Sequence, residues 1–126
     1  MKSALLVFLG GGLGSLARYW IYLFFKYQVD TKLDVYGTLT VNVLGSLLIG
    51  FLMGWLLKSE TSYPNLQLLL VVGFCGGFTT FSTFSAENMS LLKNNLYTEF
   101  LLYGLGSLLL GVLAVLIGIV IIKKGF

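Results

Sequence analysis

The stretch "VVGFCGGFTTFSTFSAE", residues Val71–Glu87, decides how the rest of the chain is interpreted. It starts as an apolar run and passes through two adjacent glycines. It then alternates phenylalanines with five hydroxyl side chains before it ends on a carboxylate. Polar groups at this density are costly to bury unless they find partners. Two questions follow: what surrounds this stretch, and what its polar side chains face.

The composition of the chain answers the first question. Of 126 residues, 57% are hydrophobic and 10% are charged, none is histidine, and the net charge is +3. Soluble domains have about 25% charged residues, so these values are typical of a membrane protein. The scattered positive charges do not resemble a nucleic-acid-binding surface, and no nucleic-acid partner is expected. One cysteine and no histidine argue against an intrachain disulfide and a conventional metal cluster.

Four segments are long and apolar enough to cross a bilayer core, which takes about 20 residues. They comprise residues 3–25, 35–57, 65–92 and 100–122. None shows the period of two that marks a strand, and an open sheet cannot satisfy its backbone in lipid. The predicted fold is therefore an all-α membrane protein with a single four-helix transmembrane domain over residues 1–126 and short polar connections.

The lysines at the two ends of this predicted bundle are almost balanced. One side carries Lys2, Lys58, Lys123 and Lys124, and the other carries Lys26, Lys32 and Lys93. A membrane protein with one fixed orientation normally concentrates Lys and Arg on the cytoplasmic side. The balance permits insertion in both directions, and a weak signal in a small protein is the alternative.

Close helix packing and oligomerisation are both expected. Four helices enclose too little space for an aqueous path, so a channel or transporter of this size has to oligomerise. Small residues four positions apart predict helices in close contact. These are Gly10 and Gly14, Gly11 and Ser15, Ser46 with Gly50 and Gly54, and Ser107 with Gly111.

Two polar side chains in the first two predicted spans attract attention. Arg18 lies about two turns before the end of the first span. It either snorkels to the interface or supplies positive potential where anions enter. Asn42, in the second span, follows Thr38 and Thr40. Its amide either links helices or offers N–H groups to a water-filled path.

The opening stretch predicts a broken third helix. Gly76 and Gly77, followed by Thr79 and Thr80, weaken helix continuity through glycine's freedom and local hydroxyl bonding. Such a break is tolerated at membrane depth only where the freed carbonyls are buried in protein or line a cavity. Freed carbonyls can coordinate a small hard cation, and two copies at a symmetry axis would supply four oxygens.

Beyond the break, an aromatic stripe and a polar stripe run along the resumed helix. Phe81 and Phe84 share a face at i,i+3 spacing, which is ordinarily core packing. Next to hydroxyl groups, however, the electropositive edges of the rings can face an anion. The neighbouring hydroxyl and carboxyl groups are Thr80, Ser82, Thr83, Ser85 and Glu87, and Tyr103 and Ser107 add two more on the last span.

Three motifs together resemble the CrcB/Fluc family of bacterial fluoride channels. They are "GTLTVNVLGSLLIG" at residues 37–50, "GFCGGFTTFSTFSAE" at residues 73–87 and "GGGLGSLARY" at residues 10–19. The second is highly specific, and the glycine-rich third is weak alone. The resemblance covers all four spans in order. Gly111 is a departure, because family members can carry a hydroxyl there, and it leaves the last-helix part of the ion path less certain.

The resemblance implies an antiparallel, dual-topology homodimer in the bacterial inner membrane that exports cytoplasmic fluoride passively. It implies two pores per dimer and a structural sodium ion at the dimer axis, bound by the backbone carbonyls of Gly76 and Thr79. Arg18 would be the vestibule cation. The pore residues would be Thr40, Asn42, Phe81, Ser82, Thr83, Phe84, Ser85, Glu87, Tyr103 and Ser107.

Other functions are weighed against this one. No nucleophile, general base or hydrolytic motif is present, so no enzyme activity is expected. A small dual-topology multidrug or cation exporter is the alternative, but such exporters depend on a carboxylate in the first helix, and this first helix has none. An accessory membrane subunit, in which the polar stripe only joins helices, is a third possibility.

Overall fold

Every regular element in the described part of the chain is helical. The structure is a computed structural model that describes residues 1–28, 35–59 and 62–125. Its helices are α1 (Lys2–Gln28), α2 (Val35–Lys58), α3 (residues 64–78), α4 (Phe81–Lys93) and α5 (Tyr97–Gly125). Within α3, the segment Gln67–Cys75 has π-helical turns. Lys32, used above to compare the two ends of the bundle, lies outside the described residues.

Four stretches of these helices are long and apolar enough to cross a membrane. They are Lys2–Tyr27, Val35–Lys58, Pro64–Lys93 and Tyr97–Gly125, with α3 and α4 together forming the third. The predicted all-α fold with four spans is confirmed, and the ends of the spans move by only a few residues. The chain is a multi-pass membrane protein.

The helices pack as two pairs that are not sequential neighbours. The N-terminal helix α1 packs along α3, while α2 packs along α5, and α4 contacts both α2 and α5. A small cluster of buried side chains, Val35, Leu91 and Tyr103, lies where α2, α4 and α5 meet. The C-terminal part of α4 is therefore packed against the pair formed by α2 and α5.

Glycines allow both helix pairs to come into backbone contact. A Cβ on Gly10 would overlap the Leu69 carbonyl of α3, and one on Gly14 would overlap the Phe74 carbonyl. In the second pair, a Cβ on Gly50 would overlap the Val115 carbonyl. The close packing predicted from the small-residue spacing is confirmed for α1 with α3 and for α2 with α5.

The turn from α4 to α5 has a well-defined C-terminal cap. Asn95 adopts a left-handed conformation with φ of 60°. Its N–H donates to the Leu92 carbonyl and the Leu96 N–H donates to the Leu91 carbonyl, at 3.1 and 2.9 Å. Leu96 also packs on the cluster that contains Leu91. This is a Schellman motif with its hydrophobic contact, and it fixes the direction in which α5 leaves.

Most large apolar side chains of the single chain are exposed. Among the described residues, the buried apolar side chains are Val35, Val41, Cys75, Phe78, Leu91, Tyr103 and Ala114. Exposing so much apolar surface to water would destabilise the protein. Contact with lipid or with a second subunit removes this surface from water. The helix packing must therefore position the polar side chains with little help from a buried core.

Candidate functional site

Two residues of extended backbone separate α3 from α4. Thr79 has φ and ψ of −76° and 157°, and Thr80 has −148° and 115°. Gly76 and Gly77 remain helical, so the expectation that these glycines lose helical structure is wrong. Gly77 serves packing instead, because a Cβ there would overlap the Gly11 carbonyl of α1.

Asn42 of α2 holds the extended backbone in place. Its Oδ1 accepts from the Thr80 N–H at 2.8 Å, and its Nδ2 donates to the Thr80 carbonyl at 3.2 Å. The side-chain amide thus pairs with Thr80 as a neighbouring strand would. The predicted link between helices is present, and one N–H of the amide is not used by these bonds.

Thr80 also starts α4. Its Oγ1 accepts from the Thr83 N–H at 3.3 Å, which is the N-cap arrangement that hydroxyl residues favour. The same oxygen lies 3.1 Å from Thr83 Oγ1 and 3.3 Å from Ser82 Oγ. Three of the five hydroxyl groups of the opening stretch, those of Thr80, Ser82 and Thr83, therefore form a connected group at the start of α4.

Arg18 turns inward from α1 to the end of α3. Its Nε donates to the Gly77 carbonyl at 3.2 Å, and Ser15 Oγ donates to the same oxygen at 3.4 Å. The carbonyls at a helix C-terminus carry partial negative charge and lack helical donors, so a guanidinium stabilises them. This contact directs the Arg18 side chain towards the end of α3.

The Glu87 carboxyl group joins three helices. Thr38 Oγ1 of α2 donates to Oε1 and the Tyr103 hydroxyl of α5 donates to Oε2, both at 2.6 Å. Thr38 and Tyr103 are buried. The centroids of the Phe84 and Tyr103 rings are 5.1 Å apart. The two contacts tie Glu87 of α4 to α2 and to α5.

Two cavities adjoin the extended residues. One, of about 330 Å³, is lined by Arg18, Thr38, Thr80 and Thr83 together with tyrosines of α1. The other, of about 240 Å³, has the polar side chains of Asn42, Ser46, Thr79, Thr80 and Ser107 and the rings of Phe81 and Phe84 in its wall. Thr80 borders both, so the predicted polar and aromatic groups converge on one region.

Ser107 is distinctive within the second cavity. Its Oγ is buried and has no hydrogen-bond partner among the described residues. A helical serine commonly bonds back to the carbonyl four residues earlier, and this one does not. The Phe81 and Phe84 rings lie near it on the same cavity wall, with their centroids 5.8 Å apart. An unpartnered, buried hydroxyl group and two aromatic rings therefore belong to residues that line the same cavity.

The comparison with known proteins identifies the family of this chain. Residues 5–119 match the family model described as "CrcB-like protein, Camphor Resistance (CrcB)". This chain belongs to the CrcB family.

Named relatives are similar over nearly the whole chain. A "Fluoride-specific ion channel FluC" of Phocaeicola vulgatus is 48% identical over 120 residues, covering 94% of this chain and 97% of that protein. One from Gloeothece citriformis is 46% identical over 125 residues, covering 99% of this chain and 100% of the relative. These relatives carry the name of ion channels rather than enzymes.

The matched region contains every predicted site residue of this CrcB-family chain, but the structure does not bring all of them together. Thr40 Oγ1 donates back to the Tyr36 carbonyl at 2.8 Å, and Ser85 Oγ donates back to the Phe81 carbonyl at 2.9 Å. Neither lines the two cavities described above. Gly76 is exposed, and a Cβ built on it meets no atom within 4 Å.

Thr38 is the site residue that the sequence-based selection missed. It contacts Glu87 and lines the cavity of Arg18, whereas the selected Thr40 does neither. The helical period could have separated the two: Thr38 lies four residues before Asn42 on the same face, and Thr40 lies two residues before it.

Proposed function

We propose that this protein is a fluoride channel, as the names of its relatives indicate. The observation that supports this most directly is the cavity in which the unpartnered Ser107 hydroxyl, the Asn42 amide and the Phe81 and Phe84 rings meet. A small, strongly hydrated anion enters a pore only if donors replace its water. The cavity offers polar donors and two aromatic rings, whose edges carry positive potential, and its lining within the described part of the chain includes no carboxylate.

The path we propose begins near Arg18. Its guanidinium lines the first cavity with Thr38, Thr80 and Thr83, so an approaching anion meets positive potential and hydroxyl groups together. The second cavity follows, because Thr80 lies in both walls. Glu87 lies directly behind this wall, because Thr38, which lines the first cavity, and Tyr103 both donate to its oxygens.

The pores are completed by a second copy of the chain. Phe81 is 77% exposed in the single chain, although an apolar ring of the ion path has to be enclosed by protein. We infer an antiparallel homodimer with two pores, inserted in both orientations, in which the broken third span of each copy contributes to both. The nearly balanced lysines support this arrangement.

A sodium ion at the dimer axis fits the residues present. The Thr80 N–H bonds to Asn42, so the Gly76 carbonyl lacks the donor that a continuous helix would supply four residues later. Gly76 is exposed and nothing lies over it in the single chain. Together with the Thr79 carbonyl it would hold sodium, which would neutralise the carbonyl dipoles that meet when two copies approach.

Such a channel protects the cell without an energy source. In acid surroundings, hydrogen fluoride crosses the inner membrane as a neutral molecule and dissociates inside, where the anion is trapped. An interior potential of −100 mV favours the exit of a monovalent anion by about 2.3 kcal/mol. Passive flow through the pore is therefore sufficient for fluoride resistance, and no enzymatic step is required.

Efflux from liposomes tests the proposal. Purified protein is reconstituted in vesicles that contain potassium fluoride or potassium chloride, and valinomycin starts the efflux by letting potassium follow. We expect fluoride to leave and chloride to be retained. Equal flux of both anions would contradict fluoride selectivity, and fluoride retention in protein-containing vesicles would contradict the channel function. Efflux of organic cations would favour the exporter.

A further inference from the structure

Ser46 is a membrane-embedded serine whose hydroxyl group its own helix does not use. It lies at the middle of α2 and is half-buried. A helical serine or threonine commonly donates to the carbonyl four residues earlier, as Thr40 and Ser85 do. Ser46 Oγ makes no such bond and has no other hydrogen-bond partner within the described ranges of the chain. Its donor is therefore available to another group.

The Ser46 hydroxyl group is directed towards α5. A Cβ built on Gly111 would lie 3.6 Å from Ser46 Oγ and would meet no other neighbouring atom within 4 Å. Ser46 and Gly111 both line the cavity that also contains Asn42, Phe81 and Phe84. The missing side chain at Gly111 thus leaves open space beside the Ser46 hydroxyl group in the wall of this cavity.

The register between α2 and α5 divides this cavity into two levels. Ser46 of α2 faces Gly111 of α5. Gly50, four residues later, faces Val115 in the same way, so the two helices run parallel in a constant register. Asn42 lies four residues before Ser46, which corresponds to about 6 Å along the helix axis. Ser46 therefore supplies a hydroxyl group one turn beyond Asn42, at the level where Gly111 of α5 supplies none.

The depth of this level makes a donor necessary for an ion. Ser46 lies at the middle of α2 (Val35–Lys58), and Gly111 lies at the middle of α5 (Tyr97–Gly125). Both helices are long and apolar enough to span a membrane, so this level is near the centre of the bilayer. An ion there is farthest from bulk water, and donors of the protein must replace its hydration.

We propose that the Ser46 hydroxyl group donates to the anion as it passes the level of Gly111, one turn beyond Asn42. This inference rests on the proposed channel function and adds a donor from α2 to the path. Helix packing alone is the alternative role, because Ser46 and Gly50 both lie where α2 contacts α5. Packing needs only a small side chain, whereas the proposed role needs the hydroxyl group.

Ser46→Ala separates these two roles, because alanine keeps the small size and removes only the donor. In liposomes with internal potassium fluoride and valinomycin, we expect efflux to be about three- to tenfold slower, since one donor to a charged group is lost. Thermal unfolding in detergent should give the same Tm as the unmodified protein, because Ser46 Oγ bonds to no described residue. Unchanged efflux is the result that packing alone predicts.

Two double variants test whether the hydroxyl group can be supplied from the opposite helix. Ser46→Ala/Gly111→Ser places a hydroxyl group on the other side of the same level. Ser46→Ala/Gly111→Ala is its matched control of nearly equal volume. A Cβ on Gly111 meets only the oxygen that Ser46→Ala removes, so both variants fit the available space. We expect the first variant to conduct fluoride at least about threefold faster than the control.

Three results would overturn the proposal. One is equal fluoride efflux with Ser46→Ala and with the unmodified protein. The second is equal efflux with the two double variants, which decides even if Ser46→Ala lowers stability, since the two differ by one hydroxyl group. The third is fluoride retention with the unmodified protein, which would contradict the channel function as well. Fluoride efflux by the unmodified protein together with either of the first two results contradicts only the role of Ser46.

Discussion

At the scale of single residues, Phe81 is the most informative side chain. Its ring is 77% exposed in the isolated chain, yet it lines the cavity of Asn42 and Ser107. An exposed ring in lipid contributes only packing, whereas a ring at the ion path contributes the positive potential of its edge. Substitution by an aliphatic residue of similar size separates these two roles.

We expect Phe81→Ile to slow fluoride efflux about tenfold or more, which corresponds to a barrier raised by about 1.4 kcal/mol. Phe84→Ile should also slow it, while the dimer remains intact by size-exclusion chromatography. Phe8→Ile is the matched control, because Phe8 is exposed to a similar extent, 74%, and borders neither cavity of the proposed path. Unchanged efflux in both Phe81→Ile and Phe84→Ile would remove the rings from the mechanism.

The residue scale also shows what can be predicted from sequence. The density of polar groups in residues 79–87 predicted a region of polar contacts, because polar side chains in lipid require partners, and several of these groups are hydrogen-bonded around Thr80. It could not distinguish hydroxyls that bond back to their own helix, as Thr40 and Ser85 do, from those that face a cavity. That difference depends on χ1 angles and on neighbouring helices, which the residue order does not specify.

At the scale of elements, the junction between α3 and α4 is held from both sides. Arg18 and Ser15 of α1 supply donors to the Gly77 carbonyl, and Asn42 of α2 pairs with the backbone of Thr80. These side chains replace the helical bonds that the extended residues give up. The position of the carbonyls proposed to face sodium therefore depends on neighbouring helices rather than on α3 itself.

Removal of the Arg18 donor tests this dependence. We expect Arg18→Met to lower the free energy of unfolding by about 1.5–3 kcal/mol, the range for hydrogen bonds from charged groups, and to slow fluoride efflux. Lys26→Met removes the same charge from the same helix, where the ammonium lies over the Tyr22 and Tyr27 rings. Denaturant titration should show a clearly smaller decrease in the free energy of unfolding for Lys26→Met than for Arg18→Met. Equal decreases in the free energy of unfolding for the two variants would mean that the contact between Arg18 and Gly77 does not contribute to stability beyond the effect of net charge.

The break in the third span shows where prediction at this scale stops. A departure from helical structure was expected from Gly76 to Thr80, since glycine and threonine both weaken helices. The extended residues are Thr79 and Thr80, whereas Gly76 and Gly77 stay helical, and Gly77 packs against the Gly11 backbone of α1. Glycine permits both conformations, and tertiary packing selects between them.

At the scale of the whole molecule, the single chain is incomplete for the function proposed. Its buried apolar cluster is small, the Phe81 ring is exposed, and the Gly76 carbonyl has lost its helical donor. Each of these features calls for a second copy, but a dyad cannot be derived from one sequence. Small-residue spacing indicates where helices touch and not whether they belong to one chain.

Exchange of sodium tests the dyad as a whole. Sodium is replaced throughout purification by N-methylglucamine, a cation that is too large to fit between two pairs of carbonyls. We expect the proposed dimer to dissociate at a lower temperature and fluoride efflux to fall. The carbonyl dipoles that meet at the axis would then repel one another without a cation between them. Return of sodium should restore both properties, and this restoration is the control for irreversible damage. Thermal stability and efflux that stay equal after exhaustive removal of sodium would show that the Gly76 carbonyl binds no structural cation. The proposed antiparallel interface would then need another source of stability.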